Sequence, residues 1–265
     1  PGPMRIRTAS DLLNELAASG ASLSTVMLAT QIIDADREAS NVLNGINQLR
    51  GERDQHQKYM NALKAAKSFV TAKGGDNPSA DFSDPKVVAE FMSKYPEEAA
   101  TLGLNVETDP KKWADQQGYV KKQIKDPNWE DPNDGSTAPM VERWQTPDGS
   151  LLDENGVKGR HGAALTAAAK SAFQERKIGR DDAGNLRTTK GESSALDGTK
   201  ATRDTLDRVI QKHQAEQQSI DSQKTILNMR LQEFLQQKQR LTSLASNMAD
   251  AQHRSKDAIV KNTRS

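Results

Sequence analysis

Among the residue types of this 265-residue chain, histidine can do the widest range of chemistry, because the imidazole can act as a general base or as a metal ligand. The chain has four histidines, His56, His161, His213 and His253. His161 follows "ENGVKGR", which we interpret as a loop, and a general base there would need a nucleophile and an orienting group. The sequence signals neither beside it. We therefore predict a non-enzymatic protein with no catalytic residue and no cofactor.

One segment resembles a calcium-binding loop. In "DPNDGSTAPMVE", Asp131, Asn133 and Glu142 occupy positions 1, 3 and 12 of the EF-hand template. Gly135 at position 5 supplies no side-chain oxygen, and Ser136 stands where the turn needs glycine. We interpret the segment as a surface turn, which leaves calcium binding near 131–142 open and predicts no metal site.

Other site chemistry is missing from the sequence. There is no cysteine, so disulfides, thiol catalysis and cysteine-ligated metals are excluded. Neither a phosphate-binding Walker loop nor a dinucleotide-binding glycine fingerprint occurs. A zinc-protease helix motif and a nucleophile elbow are missing as well.

Composition argues against nucleic acid and membrane as partners. The 37 basic and 36 acidic residues are interspersed and leave a net charge of +1. No stretch approaches the ~18 consecutive apolar residues of a membrane span, so we expect no stable membrane insertion. No basic-then-apolar export signal with a cleavage site begins the chain, so we expect any export to need no cleaved signal. Only 34% of the residues are hydrophobic and 4% are aromatic, which favours a narrow seam over a bulky core.

Two long segments carry apolar residues at alternating steps of four and three, the spacing of a heptad repeat. The first predicts a coiled-coil helix over 25–73, ending at Gly74 and Gly75. The second predicts a coiled-coil helix over 200–262. The first seam runs Leu28, Ile32, Ala35, Ala39, Val42, Ile46, Leu49, Arg53, His56, Met60, Leu63 and Val70. The second runs Leu206, Ile210, His213, Gln217, Ile220, Lys224, Leu227, Leu231, Phe234, Lys238, Leu241, Ala245 and Met248.

Two heptad helices in one chain most simply pack as a long antiparallel coiled-coil hairpin. Several seam positions are polar, and such positions can fix register at a cost in stability. We assign this role to Arg53, His56, His213, Gln217 and Lys224. His253 is expected on a solvated or partner-facing surface.

The segment between the helices, 74–199, predicts a small mixed α(+β) domain. It holds eight of the eleven aromatic residues, whereas a disordered linker is poor in them, so we expect it to fold on its own. Prolines predict helices starting near Asp84 and Asp109, the latter ending near Lys125. A Pro-Asp-Gly turn in "MVERWQTPDGSLL" predicts a hairpin, and "GAALTAAAKSAFQER" predicts a helix. We expect residues 179–200 to be loosely structured and partly disordered, and we treat 4–24 as a separate N-terminal segment.

The last helix carries a family resemblance. Its sequence "IDSQKTILNMRLQEFLQQKQRLTSLASNMADAQHRSKDAIV" is similar to the C-terminal helix of the V-antigen group, which shares the Ser-Gln-Lys-Thr start and the run of Gln, Ser and Asn between aliphatic residues. It is also similar to the C-terminal helix of filament-forming tip subunits. Together with the hairpin and its insert, the chain resembles the needle-tip and translocon filament proteins of bacterial type III secretion systems. Two features depart from the V-antigen group: the insert, and an N-terminal domain that we expect to be missing or reduced to residues 4–24.

This resemblance implies a structural subunit that caps or extends the secretion needle and supports translocator pore assembly. It implies secretion without a cleaved signal and a place at the needle tip on the bacterial cell surface. The implied partners are further copies of the chain, the needle subunit, translocator proteins and a cytosolic chaperone. The alternative is a cytosolic or phage-derived coiled-coil scaffold without a secretion role.

The end of the second helix extends beyond the first helix's expected reach, near residue 250. Three interpretations are open: residues 4–24 fold over this end, the end is an assembly surface that a partner covers, or the end frays. The resembled family uses its C-terminal helix in assembly, which favours an assembly surface at this end. We place the assembly surface at Leu241, Leu244, Met248, Ala251, Ile259 and Val260.

Overall fold

A computed structural model describes residues 22–130, 136–194 and 196–262 of the chain. The described chain is mostly helical, with one long helix near each end and a small β-containing region between them. The six helices of these ranges are α1 (Leu23–Thr71), α2 (Pro85–Lys94), α3 (Pro96–Leu102), α4 (Pro110–Gln116), α5 (Glu154–Ala172) and α6 (Arg203–Asn262). The long helices α1 and α6 lie within about three residues of the predicted bounds.

The strands pair antiparallel in three small sheets. One sheet has the order β1-β8-β7, the second β2-β3-β4, and the third is the β5-β6 hairpin. The strands are β1 (Ser79–Asp81), β2 (Val120–Lys125), β3 (Met140–Gln145), β4 (Leu151–Leu152), β5 (Gln174–Arg180), β6 (Leu186–Ser194), β7 (Leu196–Asp197) and β8 (Lys200–Thr202).

The chain divides into two compact units, and the boundaries fall inside the long helices rather than at the ends of the insert. The central unit comprises the described residues of 52–218, and the terminal unit comprises 22–51 and 219–262. The insert therefore shares a unit with the adjoining ends of α1 and α6.

The main core of the central unit is built jointly by the insert and the two long helices. Phe69 of α1 packs against Phe82 and Phe91, with ring centroids 6.0 and 5.3 Å apart. Phe82 in turn contacts Phe173 at 4.7 Å. Leu63 and Val70 of α1 and Leu206, Val209 and Ile210 of α6 complete the same apolar cluster. The aromatic residues of the insert are thus buried against the helices that flank it.

A smaller core lies beneath the β2-β3-β4 sheet. Trp113, Ala114, Trp144 and Val157 are buried together there. Aspartates begin the helices that frame it, since Asp109 accepts a hydrogen bond from the backbone N–H of Lys111 and Asp153 accepts one from Gly156, as N-caps do. The Pro-Asp-Gly hairpin predicted over 140–152 is present as β3 and β4.

Two expectations within the insert are wrong. The helix that begins at Pro110 ends at Gln116 rather than near Lys125, and 120–125 form strand β2. Residues 179–200, expected to be loose, contain β6, β7 and the end of β5. Charged side chains hold the β5-β6 hairpin, since Arg180 pairs with Glu52 at 2.9 Å and Glu175 with Lys212 at 2.5 Å. A hairpin anchored by ion pairs lacks the apolar alternation by which strands are recognised.

Within the terminal unit, the predicted seams are the least exposed faces of both helices. On α1, Leu28, Ala35, Ala39 and Ile46 are buried. On α6, every predicted seam position from Leu227 to Met248 is partly buried. Contacts join the helices at two levels of this unit: Lys238 Nζ lies 2.6 Å from Asp36 Oδ1, and a Cβ added at Gly45 would lie 3.2 Å from Leu227 Cδ1.

None of the helices in the described ranges has an apolar stretch long enough to cross a bilayer.

Candidate functional site

The two predicted seam histidines meet in the central unit. His56 on α1 and His213 on α6 lie with their Nδ1 atoms 3.0 Å apart, although 157 residues separate them in sequence. Their exposed fractions are 3% and 0%. The heptad spacing places both rings on the faces that α1 and α6 turn toward each other in this unit. At 3.0 Å, one ring N–H can donate to the lone pair of the other ring.

Glu216 completes a triangle of ligand-type atoms with the two histidines. It follows His213 by three residues on α6, a spacing that puts both side chains on one helix face. Its Oε2 atom lies 3.4 Å from His56 Nδ1 and 3.3 Å from His213 Nδ1. The Glu216 side chain is 35% exposed, so the triangle reaches from the buried seam toward solvent.

Burial sets the protonation of this cluster. It lowers the pKa of His56, and burial followed by repulsion from His56 lowers the pKa of His213 to about 4. Burial, reinforced by Glu175, raises the pKa of Glu216. Both imidazoles are therefore neutral at pH 7, the form in which histidine binds metal ions.

Hydrogen bonding leaves the triangle incompletely satisfied. In the described part of the chain, His213 Nε2 and Glu216 Oε2 are buried atoms without a hydrogen-bond partner. An unsatisfied buried polar atom costs about 1–3 kcal/mol and calls for a specific explanation. The three residues are also the one group of potential metal ligands of this size close enough to share an ion within the described ranges.

The surroundings hold the two rings in place. Tyr59 lies edge-on to His213 with centroids 5.0 Å apart, and its hydroxyl donates to the carbonyl of Gln174 at 3.0 Å. The Arg176 guanidinium stacks over the Tyr59 ring at 4.5 Å. Burial raises the pKa of Tyr59 to about 12, so this hydroxyl stays protonated and continues to donate.

The other predicted register residues have more modest roles. Gln217 donates to Gln57 Oε1 at 3.0 Å, a contact between α6 and α1. Arg53 is exposed, and Lys224 is partly buried. Of the five register residues, His56 and His213 are thus the buried pair. Sequence reasoning missed Glu216, whose signal was the His-x-x-Glu spacing that begins at His213.

The remaining predicted site residues are not brought together into a site in the described structure, or they lie outside it. His161 is buried within α5, not in a loop, and its Nε2 lies 2.7 Å from the Glu107 carbonyl, which fits a structural hydrogen bond. The calcium-like segment keeps Glu142 on β3, where it pairs with Lys121 at 3.3 Å. Asp131 and Asn133, like the whole of 4–21, lie outside the described residues. The same holds for the side chain of His253.

The predicted assembly surface lies in the terminal unit. Leu241 and Met248 are partly buried, whereas Leu244 is 50% exposed and Ile259 is 63% exposed. Every described side chain from Ala249 to Ile259 is exposed, including Ala251. The side chain of Val260 lies outside the described part of the structure. A groove of about 130 Å³ adjoins the partly buried end, lined by Leu28, Ile32, Ala245 and Met248 among others.

No protein-family model matches the chain, and no curated protein matches it either.

Proposed function

We propose that this chain is a structural, non-enzymatic tip or filament subunit of a bacterial type III secretion needle, where it supports translocator pore assembly. The observation that carries the proposal is the last helix. Its sequence resembles that of needle-tip proteins, and its final turns expose apolar side chains such as Ile259 in the described structure. The route of export would be the secretion apparatus itself, without a cleaved signal.

The proposed architecture is an antiparallel coiled coil of α1 and α6. Contacts within each unit support it, because residue numbers on the two helices run in opposite directions. In the terminal unit, position 36 contacts 238 and position 45 approaches 227. In the central unit, 56 contacts 213, and Lys67 pairs with Asp207 at 2.5 Å. Such a seam gives a subunit long exposed helix faces without a large core.

The proposed assembly surface is the C-terminal end of α6. In water, exposed apolar side chains gain free energy when a partner covers them, at roughly 25 cal/mol per Å². Residues 228–265 also carry seven Lys or Arg against three Asp or Glu, which favours an acidic partner surface. The proposed partners are further copies of the chain, the needle subunit and translocator proteins, with a cytosolic chaperone before export.

The assembly surface can be tested with paired variants. Replacing Ile259 and Val260 with Asp places two charges on the exposed end of α6, and we expect loss of self-assembly or of needle capture. Helicity and melting temperature should stay near those of the unchanged protein, because Ile259 is 63% exposed. Sedimentation velocity and needle co-sedimentation measure the first effect, and circular dichroism measures the second.

A matched control is available on the same helix. Ile226 and Met229 are 53% and 59% exposed, and they lie outside the proposed assembly surface. The double variant with Asp at these two positions should assemble normally. If it loses assembly equally, or if the 259/260 variant melts much earlier as a monomer, the proposed surface is wrong.

A further inference from the structure

We propose that His56, His213 and Glu216 form a binding site for a divalent transition-metal ion of the zinc type. The ligand atoms would be Nδ1 of each histidine and Oε2 of Glu216. This site joins α1 to α6 within the central unit, and the proposal stands independently of any role in secretion.

The distances within the triangle fit a tetrahedral ion. Ligand atoms about 2.0–2.1 Å from a tetrahedral zinc ion stand about 3.3–3.4 Å from one another. The two edges that end on Glu216 Oε2 measure 3.4 and 3.3 Å. The edge between the histidines measures 3.0 Å, so the rings need to separate by only about 0.3 Å to reach the tetrahedral spacing.

The donor set selects the class of ion. Two imidazole nitrogens and one carboxylate oxygen suit zinc and its neighbours, whereas calcium and magnesium prefer sets made of oxygen atoms alone. Three protein ligands leave one tetrahedral corner for water or for a group from a partner. The partial exposure of Glu216 gives an ion a path from solvent into a site whose histidines are buried.

The protein also supplies preorganisation and a reason for the site. All three ligand atoms already lie within 3.4 Å of one another, and the proton shared by the two Nδ1 atoms must leave one of them before both can bind an ion. An ion would give buried Glu216 Oε2 a ligand bond where it has no hydrogen-bond partner among the described residues. If the seam had only a structural role, leucine at both histidine positions would avoid the free-energy cost of burying polar rings. The neighbouring seam positions are apolar in this way, with Met60 on α1 and Ile210 on α6.

The consequence is a metal-dependent link between two helices. Because His56 lies 157 residues from His213 in sequence, the complete site exists only in the folded chain, and a bound ion stabilises that state over the unfolded one. The melting temperature should therefore rise with the concentration of free Zn²⁺. Calcium and magnesium should have no such effect.

The test uses the full chain, stripped of metal with a chelator. We expect one equivalent of Zn²⁺ to bind in competition with a chromophoric chelator, and one equivalent of Co²⁺ to give the intense visible absorption of a tetrahedral complex. Zn²⁺ should raise the melting temperature. Glu216→Gln should weaken binding at least tenfold and reduce the cobalt absorption, and His213→Gln should abolish both.

Two comparisons make the outcome decisive. His213 is fully buried, so its substitution risks unfolding the chain. The partly exposed Glu216 therefore provides the second variant, whose fold is checked by circular dichroism. His253→Gln removes a histidine from outside the triangle and should leave binding unchanged. The proposal is overturned if Zn²⁺ does not bind, if folded Glu216→Gln binds it as the unchanged protein does, or if His253→Gln abolishes binding.

Discussion

The buried histidine pair shows how one residue type serves different purposes in this chain. His161 is enclosed in the small core and its Nε2 lies 2.7 Å from the backbone carbonyl of Glu107. His56 and His213 instead lie against each other and share one carboxylate between them. The first arrangement satisfies a buried ring, whereas the second leaves His213 Nε2 and Glu216 Oε2 without a hydrogen-bond partner within the described structure. Only the second has the form of a ligand site.

Leucine substitutions at the histidine pair separate the metal site from the stability of the seam. In the presence of a chelator, His213→Leu should lower the free energy of unfolding by about 1–3 kcal/mol, because it leaves the buried His56 without its hydrogen-bond partner. The double variant His56→Leu/His213→Leu should recover most of this loss, since replacing both buried polar partners by apolar groups is often neutral or stabilising.

Urea unfolding of the three proteins measures these differences. The double variant should also lose all stabilisation by Zn²⁺, even though it is well folded. A double variant that is less stable than His213→Leu in chelator would show that the pair makes a net favourable contribution without metal. The interaction between the two histidines would then be enough to explain why these polar side chains are buried, without a bound ion.

The sequence placed His56 and His213 on the heptad seams but did not predict the chemistry they form. Heptad spacing alone places both residues on seams, and that prediction needs no knowledge of the partner helix. Their meeting depends on how α1 and α6 are aligned along each other, which a pattern on one helix does not contain. Glu216 lies just beside the seam, so its part in the cluster follows only from the three-dimensional contact.

Among the elements, the long helices were the most predictable. Their apolar spacing repeats over many turns, and α1 and α6 begin and end near the predicted residues. Strand β2 was predicted as helix because "VKKQIK" is rich in lysine and glutamine, which are good helix formers. Its pairing with β3 is a tertiary effect, as the Lys121 ammonium over the Trp144 ring at 4.9 Å illustrates. Local propensity is a weak guide where such contacts decide.

Gly45 provides a test of helix packing in the terminal unit. A Cβ at this position would approach Leu227 Cδ1 to 3.2 Å, tighter than nine in ten contacts of real Cβ atoms. Gly45→Val adds two further methyl groups at this contact, and we expect it to lower the free energy of unfolding by about 1–3 kcal/mol despite the removal of a helical glycine. Thermal and urea unfolding measure the change.

The matched control changes an exposed residue of the same helix to valine. Ser40 is exposed on α1, so Ser40→Val should alter stability by no more than about 0.5 kcal/mol. A Gly45→Val protein that is more stable than the unchanged chain would show that the Leu227 side chain moves aside and that this contact does not limit packing in the terminal unit.

The whole molecule combines a helical seam with a mixed domain that depends on it. We expected 74–199 to fold alone because of its aromatic residues, yet Phe82 and Phe91 pack directly on Phe69 of α1. The compact unit accordingly extends over 52–218 and includes the adjoining ends of both long helices. Composition correctly indicated a folded insert. It could not indicate that part of the core comes from outside the insert, because that requires the contact between distant segments.

At the scale of the whole protein, the two candidate functions differ in the cellular location of the chain. A tip or filament subunit must leave the cytoplasm through the secretion apparatus, whereas a coiled-coil scaffold stays inside. Both would share the same helices, the same absence of cysteine and the same buried histidines. Cellular location therefore separates the two functions more directly than any property of the purified chain.

The most direct measurement is export by the bacterium that encodes the protein, compared with a strain in which the ATPase of its type III apparatus is inactivated. We predict that the protein appears in the medium and, by immunogold electron microscopy, at needle ends of the intact strain, and that it stays inside the inactivated strain. Release of a cytosolic marker protein controls for lysis. A protein that remains in the cytoplasm of both strains under conditions where known substrates are exported would contradict the account.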